Sequence, residues 1–356
     1  MKKLLFASMC ILIVLSSCQD ENEEQSVELT PDEARELVEN TGTQLSGDVV
    51  SLVESGGVKE LMHIANLLSE NDVVIGGRKS QKNWTKERLE IIVKYFVDGP
   101  SARAGSDAPT TLEEIKGLYT WNFELQDFDF EESEFFIVVF PTEGSQVNDA
   151  EFRITTLEYV TITEMDGGVL ISELTAPSEI NAFLKVDDVT LVELDYTVNW
   201  VSSGFPEKAN VTLFIHPFGF SINFDDTFPT TASLLASISI DNENIIGIDL
   251  DVTYENESKE NPNAIEGNVQ YRGLKIEGNV DLTKIGEDGD PNDFVNLTLI
   301  SEENAVGDIV FVLTEDEDGF KEYLPYVQHS DGTQQNLEDI LAPVLEEIES
   351  LFAEFE

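Results

Sequence analysis

The sequence predicts an α+β fold, in which a large, curved antiparallel β body lies between a helical N-terminal segment and a C-terminal amphipathic helix. Residues 30–98 carry apolar residues at helical spacing, whereas residues 117–330 alternate apolar and polar residues between recurring turn signals. In the final segment, 331–356, the apolar side chains from Leu337 to Phe355 recur every three or four residues. We expect this last helix to pack across the open face of the sheet.

The first residues have the features of a signal peptide. Two lysines precede an apolar run, Leu4 to Leu15, which is shorter than the about 20 residues that a helix needs to cross a bilayer. The next motif, Leu15-Ser16-Ser17-Cys18, resembles the lipobox of bacterial lipoproteins. The resemblance implies that residues 1–17 are cleaved and that the Cys18 thiol carries a thioether-linked diacylglycerol. The alternative is an ordinary secretory signal followed by a chance cysteine.

Residues 18–29 form a predicted acidic tether. Its first part, Gln19-Asp20-Glu21-Asn22-Glu23-Glu24, resembles the export signal of Bacteroidota surface lipoproteins. That resemblance implies an outer-membrane lipoprotein that faces the cell exterior. The same composition also suits a solvated tether, which leaves the periplasmic face as the alternative.

Charge and cysteine content exclude several functions. The chain has 71 acidic and 20 basic residues, for a net charge of −51. Such a field repels phosphate groups, so neither nucleic acid nor an anionic lipid surface is an expected partner. Cys10 leaves with the predicted signal peptide and Cys18 is predicted to be lipidated. We therefore expect no disulfide, no thiolate catalysis and no cysteine metal site.

The helical segment, 30–98, opens with Thr30-Pro31-Asp32-Glu33, a typical helix start with an N-cap, a proline in the first turn and acidic residues. Residues 99–116 are predicted to be a linker, because Ser, Ala, Gly and Pro are frequent between 99 and 110. Beyond the linker, Phe135 to Phe140 predicts a buried strand that ends at Pro141.

The β body contains a predicted internal repeat of about 54 residues. Residues 172–225 match 226–279 without a gap, so that Val198 and Trp200 fall on Val252 and Tyr254. Each copy predicts a hairpin with a polar turn, a long loop and a second strand pair. Because identities are few, chance similarity between β patterns is the alternative.

Three further motifs, Tyr119-Thr120-Trp121-Asn122, Phe140-Pro141 and Asn148-Asp149-Ala150-Glu151-Phe152, resemble uncharacterised surface lipoproteins of Bacteroidota. The resemblance covers much of 117–280. It implies a shared fold and carries no known activity with it.

No catalytic residue is predicted. His63, His216 and His329 have no metal-binding spacing, and no serine lies in a nucleophile elbow. Carboxylates are so frequent that no pair stands out.

One acidic turn is a candidate calcium site, with Asp288, Asp290, Asn292 and Asp293 as its ligands. Oxygen ligands at alternate positions of a tight turn suit a hard cation. However, an EF-hand would have Gly in place of Asp293 and Glu in place of Leu299. The alternative is a solvated turn made of favourable turn residues.

These observations favour a lipid-anchored, surface-exposed, non-enzymatic protein whose β body binds a protein or glycan partner. The second hypothesis is a carrier that holds a hydrophobic ligand between the curved sheet and the C-terminal helix. The third is a hydrolase that uses a carboxylate pair.

Overall fold

A computed structural model describes residues 48, 51, 55–69, 111–166, 169–259, 261–285, 289–301, 304–315 and 321–337. Strand accounts for 66% of the structure and helix for 9%. Helix α1 spans Gly56–Ser69, and a single turn, α2, spans Leu112–Ile115. Short 3₁₀ turns occupy Leu282–Lys284 and Pro291–Asp293.

Within the described residues, sixteen strands form one hydrogen-bonded sheet. The first seven are β1 (Gly117–Asn122), β2 (Asp127–Glu131), β3 (Phe136–Phe140), β4 (Ala150–Asp166), β5 (Val169–Val186), β6 (Val189–Trp200) and β7 (Pro206–Ile215). The other nine are β8 (Phe218–Asp225), β9 (Thr231–Ile240), β10 (Glu243–Tyr254), β11 (Pro262–Tyr271), β12 (Leu274–Asp281), β13 (Val295–Ser301), β14 (Asn304–Glu315), β15 (Lys321–Gln328) and β16 (Gln334–Asn336).

The α+β prediction is wrong, and its antiparallel β component is confirmed. Of the predicted helical segment 30–98, the described part is α1 together with Asp48, Ser51 and Ser55. The predicted signal peptide, Cys18, the rest of the tether and residues 99–110 of the linker lie outside the described residues, as do residues 338–356 of the predicted C-terminal helix.

The beginning of the predicted C-terminal segment, 331–356, is a turn and a strand. The Thr333 backbone N–H and hydroxyl both donate to the Asp331 carboxylate, at 2.8 and 2.6 Å. This turn brings β16 back to pair with β15. The apolar spacing that begins at Leu337 gives no information about this turn, because the turn depends on the side chain of Asp331.

The chain divides into two compact bodies: a first body of residues 52–221, and a second body of residues 222–356 with 1–51. In the first body β1 pairs antiparallel with β2 and parallel with β3. From β3 to β7, and again from β9 to β16, each strand pairs antiparallel with the next. Most connections are therefore short hairpins, as the recurring turn residues predict.

The core of the first body lies on one face of its strands, which we call the inner face. Burial alternates along β1 and β3, as it must when one face of a sheet packs and the other does not. Tyr119 and Trp121 from β1 contact the aromatic rings of Phe136 and Phe128. The Tyr119 hydroxyl donates to the Ile115 carbonyl at 3.0 Å, which joins α2 to the sheet.

The second body has a smaller core. Its buried residues come from β13, β14 and β15 and from the residue that follows β16: Leu297, Leu299, Val306, Ile309, Val327 and Leu337. Strands β9 to β12 are mostly half-buried along their whole length, with few fully buried side chains.

The geometry repeats where the sequence predicts a repeat. Strand β10 has the same length as β6 and begins 54 residues later, at Glu243 against Val189. The hairpin turns before them also match, since Asp187 and Asp188 have φ of 48° and 65° and Asp241 and Asn242 have 51° and 69°. Duplication itself stays a prediction.

The gapless register does not continue through the second hairpin of the copy. Strand β11 begins 56 residues after β7, at Pro262 against Pro206, and β12 begins 56 residues after β8. The loop 255–261 is two residues longer than the loop 201–205, which accounts for the change. In this register Asp225 corresponds to Asp281. Each carboxylate accepts from the hydroxyl and the backbone N–H of the threonine two residues later, so the two turns have the same hydrogen bonds.

Candidate functional site

Three of the four predicted calcium ligands, Asp290, Asn292 and Asp293, lie in the described part of the loop. Asp288 lies outside the described residues. The Asp290 carboxylate accepts from the backbone and side chain of Asn292, at 3.0 and 2.8 Å. The Asn292 side chain in turn exchanges two hydrogen bonds of 2.7 Å with the backbone of Phe311 in β14. Asn292 therefore joins this turn to the sheet.

No group of three or more metal-ligating side chains occurs among residues whose positions are described. The three histidines each have different neighbours. His63 Nε2 donates to the Pro141 carbonyl at 3.0 Å, and His216 packs 6.0 Å from Phe214. The buried His329 donates from Nδ1 to Val306, and its Nε2 has no hydrogen-bond partner.

Helix α1 and the β3–β4 loop bring ionisable groups together in the first body. Burial raises the pKa of Glu60, the nearby His63 lowers it, and Asp149 and Glu143 raise it further. One Glu60 oxygen, Oε2, is buried and has no hydrogen-bond partner among the residues that the structure describes. Such a shifted carboxyl is the kind of group that a catalytic acid requires, so this is where a carboxylate-based hydrolase would have its site.

Asp149 has a structural role in the same loop. Its carboxylate accepts from the Thr142 backbone N–H at 2.7 Å and from the Thr142 hydroxyl at 3.0 Å. Burial raises the pKa of Asp149, but the hydrogen bonds from Thr142 and Ser145 together outweigh burial and lower it. A carboxylate held in this way closes the β3–β4 loop, and its oxygens are occupied by the chain itself.

Ionisable groups of the second body form contacts between residues that are distant in the chain. The Arg272 guanidinium binds both carboxylate oxygens of Asp48, at 3.0 and 2.8 Å, and the Tyr271 hydroxyl donates to the same carboxylate. Burial raises the pKa of Tyr271 to about 12. The Lys259 ammonium binds the Asp226 carboxylate at 2.5 Å and connects two loops.

The face of the first body opposite its core carries a continuous set of partly exposed side chains, which we call the outer face. The strand register aligns them in one row across seven strands: Glu131, Leu118, Ile137, Arg153, Phe183, Glu193 and Phe214. A second row lies beside it: Asp129, Thr120, Val139, Glu151 and Lys185.

At the centre of the outer face two cations contact aromatic rings. The Arg153 guanidinium carbon lies 5.5 Å from the centre of the Phe183 ring and 5.9 Å from that of Phe135. The Lys185 ammonium lies 4.6 Å from the centre of the Phe183 ring. Arg153 also forms an ion pair of 2.8 Å with Glu151. We call Phe135, Arg153, Phe183 and Lys185 the cation–aromatic platform.

Sequence alone does not predict this platform. Arg153 lies on β4, Phe183 and Lys185 lie on β5, and Phe135 directly precedes β3. They converge because Arg153 pairs with Phe183 across β4 and β5. The sequence contains one local indication of the platform. Phe183 and Lys185 are two residues apart, so they lie on the same face of a strand.

No helix in the described ranges is long and apolar enough to cross a membrane. No protein-family model, no curated protein and no solved structure matches the chain.

Proposed function

We propose that this chain is a lipid-anchored, non-catalytic protein of the outer membrane that faces the cell exterior and binds a protein or glycan partner through the cation–aromatic platform. The lipobox at Leu15 to Cys18 and the acidic residues after it support the address. The platform supports the binding role, because aromatic rings and guanidinium groups are enriched where proteins contact partners.

The observation that carries this proposal is the position of the platform. Phe183 and Arg153 lie on the face opposite the hydrophobic core, and Phe135 is 36% exposed. In a chain with 20 basic residues among 356, two cations on the rings of one sheet face are a marked local concentration. The fold does not need them there for core packing.

The other two hypotheses have less support. The carrier requires a C-terminal helix packed on the sheet, and residues 338–356, where that helix is predicted, lie outside the described residues, so no described contact supports it. The hydrolase has Glu60 and Asp149 as its best pair, but the Asp149 oxygens accept hydrogen bonds that close the β3–β4 loop.

Binding is tested with the full chain, purified in detergent, on a glycan array and on immobilised extracellular proteins. We expect the double variant Arg153→Ala, Phe183→Ala to lose at least about tenfold in affinity for whatever partner the native chain binds, as truncation of a central aromatic and arginine pair does.

The matched control is Phe228→Ala, which removes a ring that is 58% exposed in the second body. It should bind like the native chain. The assignment of the binding surface would be contradicted if both variants lost affinity equally, or if the Arg153→Ala, Phe183→Ala variant lost none.

A further inference from the structure

Strand β2 is an edge of the sheet. It stands at the end of the strand order, and β1 is its hydrogen-bonded neighbour among the described strands. The backbone N–H and C=O groups on its other side are therefore available to a further strand. Asp129, Phe130 and Glu131 are all exposed, so this edge is open to solvent.

The side chains of β2 divide sharply between the two faces. Asp127, Asp129 and Glu131 alternate on the outer face, where no basic side chain of β1 pairs with them. Phe128 and Phe130 alternate on the inner face. A strand added beside β2 would place its own side chains next to these on the same two faces.

Phe130 is the apolar anchor of this edge. Its ring is 53% exposed and lies 5.3 Å from the buried Tyr119 ring. A Cβ on Gly117 would lie 2.2 Å from the Phe130 ring, so the absence of a side chain at Gly117 makes room for the ring. An apolar side chain placed beside Phe130 would extend the aromatic contact outward from the core.

We propose that β2 docks an extended segment of a partner protein, which carries Lys or Arg at alternate positions and apolar residues between them, as an additional strand. The basic residues meet the carboxylates of the outer face, and the apolar residues meet Phe128 and Phe130. This inference rests on the proposed function and names the partner class. A second copy of this chain is disfavoured, because its β2 would bring the same carboxylates into contact.

The probe is a synthetic seven-residue peptide that alternates lysine and valine, with both ends blocked, titrated into the full chain in detergent. We expect it to bind at least about tenfold more tightly than a peptide that alternates glutamate and valine. It should also bind better than a lysine–valine peptide with the lysines in one block, because only alternation matches the two faces of a strand.

Charge reversal at the edge tests the location. The variant Asp129→Lys, Glu131→Lys should exchange the preference, binding the glutamate peptide and losing the lysine peptide. The matched control, Glu255→Lys with Glu257→Lys, makes the same change in net charge in an exposed loop of the second body and should leave the preference unchanged.

Amide hydrogen exchange supplies the second readout. The lysine peptide should slow exchange at residues 127–131 of the native chain, and a peptide with proline at its central position should not. If the block peptide binds as tightly as the alternating one, or if the control variant loses binding equally, the general acidic field explains the attraction and strand addition is overturned. The double variant Arg153→Ala, Phe183→Ala distinguishes the two proposals. If it lost its partner but still bound the lysine peptide, the result would support strand addition at β2 independently of the platform.

Discussion

The carboxyl of Glu60 illustrates how a partly buried acid couples folding to pH. Burial raises its pKa in the folded chain, and the neighbouring His63 opposes that effect only in part. The folded state therefore holds the proton more tightly than the unfolded state. Its contribution to stability is present below the ordinary pKa of 4.5 and is lost as the pH rises through the raised value.

The variant Glu60→Gln removes this titration. We expect it to unfold at the same denaturant concentration as the native chain near pH 4, and to be more stable near pH 7 by at most about 0.5 kcal/mol, since solvent screens a side chain that is only partly buried. Chemical denaturation across pH 4 to 8 measures the difference. Glu207→Gln, at an exposed position, is the control and should not alter the pH profile. A native chain that gained stability over this range relative to the variant would refute the sign.

At the scale of elements, Gly278 in β12 packs directly against the backbone of β13. A Cβ there would lie 1.9 Å from the Asn296 carbonyl oxygen, which is a backbone atom of the neighbouring strand. The contact cannot be relieved by rotation of a flexible side chain. The two strands would have to separate, at the expense of their hydrogen bonds.

We therefore expect Gly278→Ala to lower the free energy of unfolding by about 1–3 kcal/mol, the usual range for an added methylene in a packed site. Thermal melts followed by circular dichroism measure it. In Gly56→Ala the new methyl would come no nearer than 4.0 Å to Leu191, so that variant should be unchanged or slightly more stable. Equal melting temperatures for the two variants would show that the β12–β13 contact is not tight.

The elements show which features of this chain follow from its sequence alone. Phe136 to Phe140 forms a strand because its β-branched and aromatic residues favour extended backbone, and the strand ends before Pro141, both as predicted. The hairpin turns at Asp187 and Asp241 follow from residues that tolerate a positive φ. The return of the chain at Asp331 was not predicted, because it depends on one carboxylate accepting from Thr333.

Site residues are harder to predict than strands. Arg153 and Phe183 are 30 positions apart in the chain, and their contact follows from the pairing of β4 with β5. That register contains three shifts, so alternation of apolar and polar residues does not determine it. The hydrogen bonds of Asn292 to the Phe311 backbone are likewise not predictable from the turn sequence, because they depend on a strand that lies 19 residues further on.

For the whole molecule, the central prediction is its address. If Cys18 carries the lipid, Cys18→Ala should move the protein from the membrane fraction to the soluble fraction, whereas Cys10→Ala, in the apolar run of the signal, should not. Cell fractionation followed by immunoblotting measures this. Protease added to intact cells should degrade the native protein if it faces the exterior. Protection from protease would favour the periplasmic face, and membrane retention of the Cys18 variant would refute the anchor.

The net charge of −51 acts on the molecule as a whole. A charge of this size produces repulsion between copies of the chain, and it attracts cationic partners to any exposed edge. Because this attraction is general, selectivity between cationic partners must come from the spacing of charges. The carboxylates at alternate positions of β2 provide one such spacing.

The difference in length between the loops 201–205 and 255–261 has a consequence for how this protein can diversify. Two extra residues are accommodated there while the flanking strands keep their pairing. A ladder of hairpins tolerates such insertions at its rims, because each strand depends on its immediate neighbours and the turns project away from the hydrogen bonds. These rims are accordingly the natural place for related chains to vary in sequence, and a practical place to graft an epitope tag without disturbing the strands.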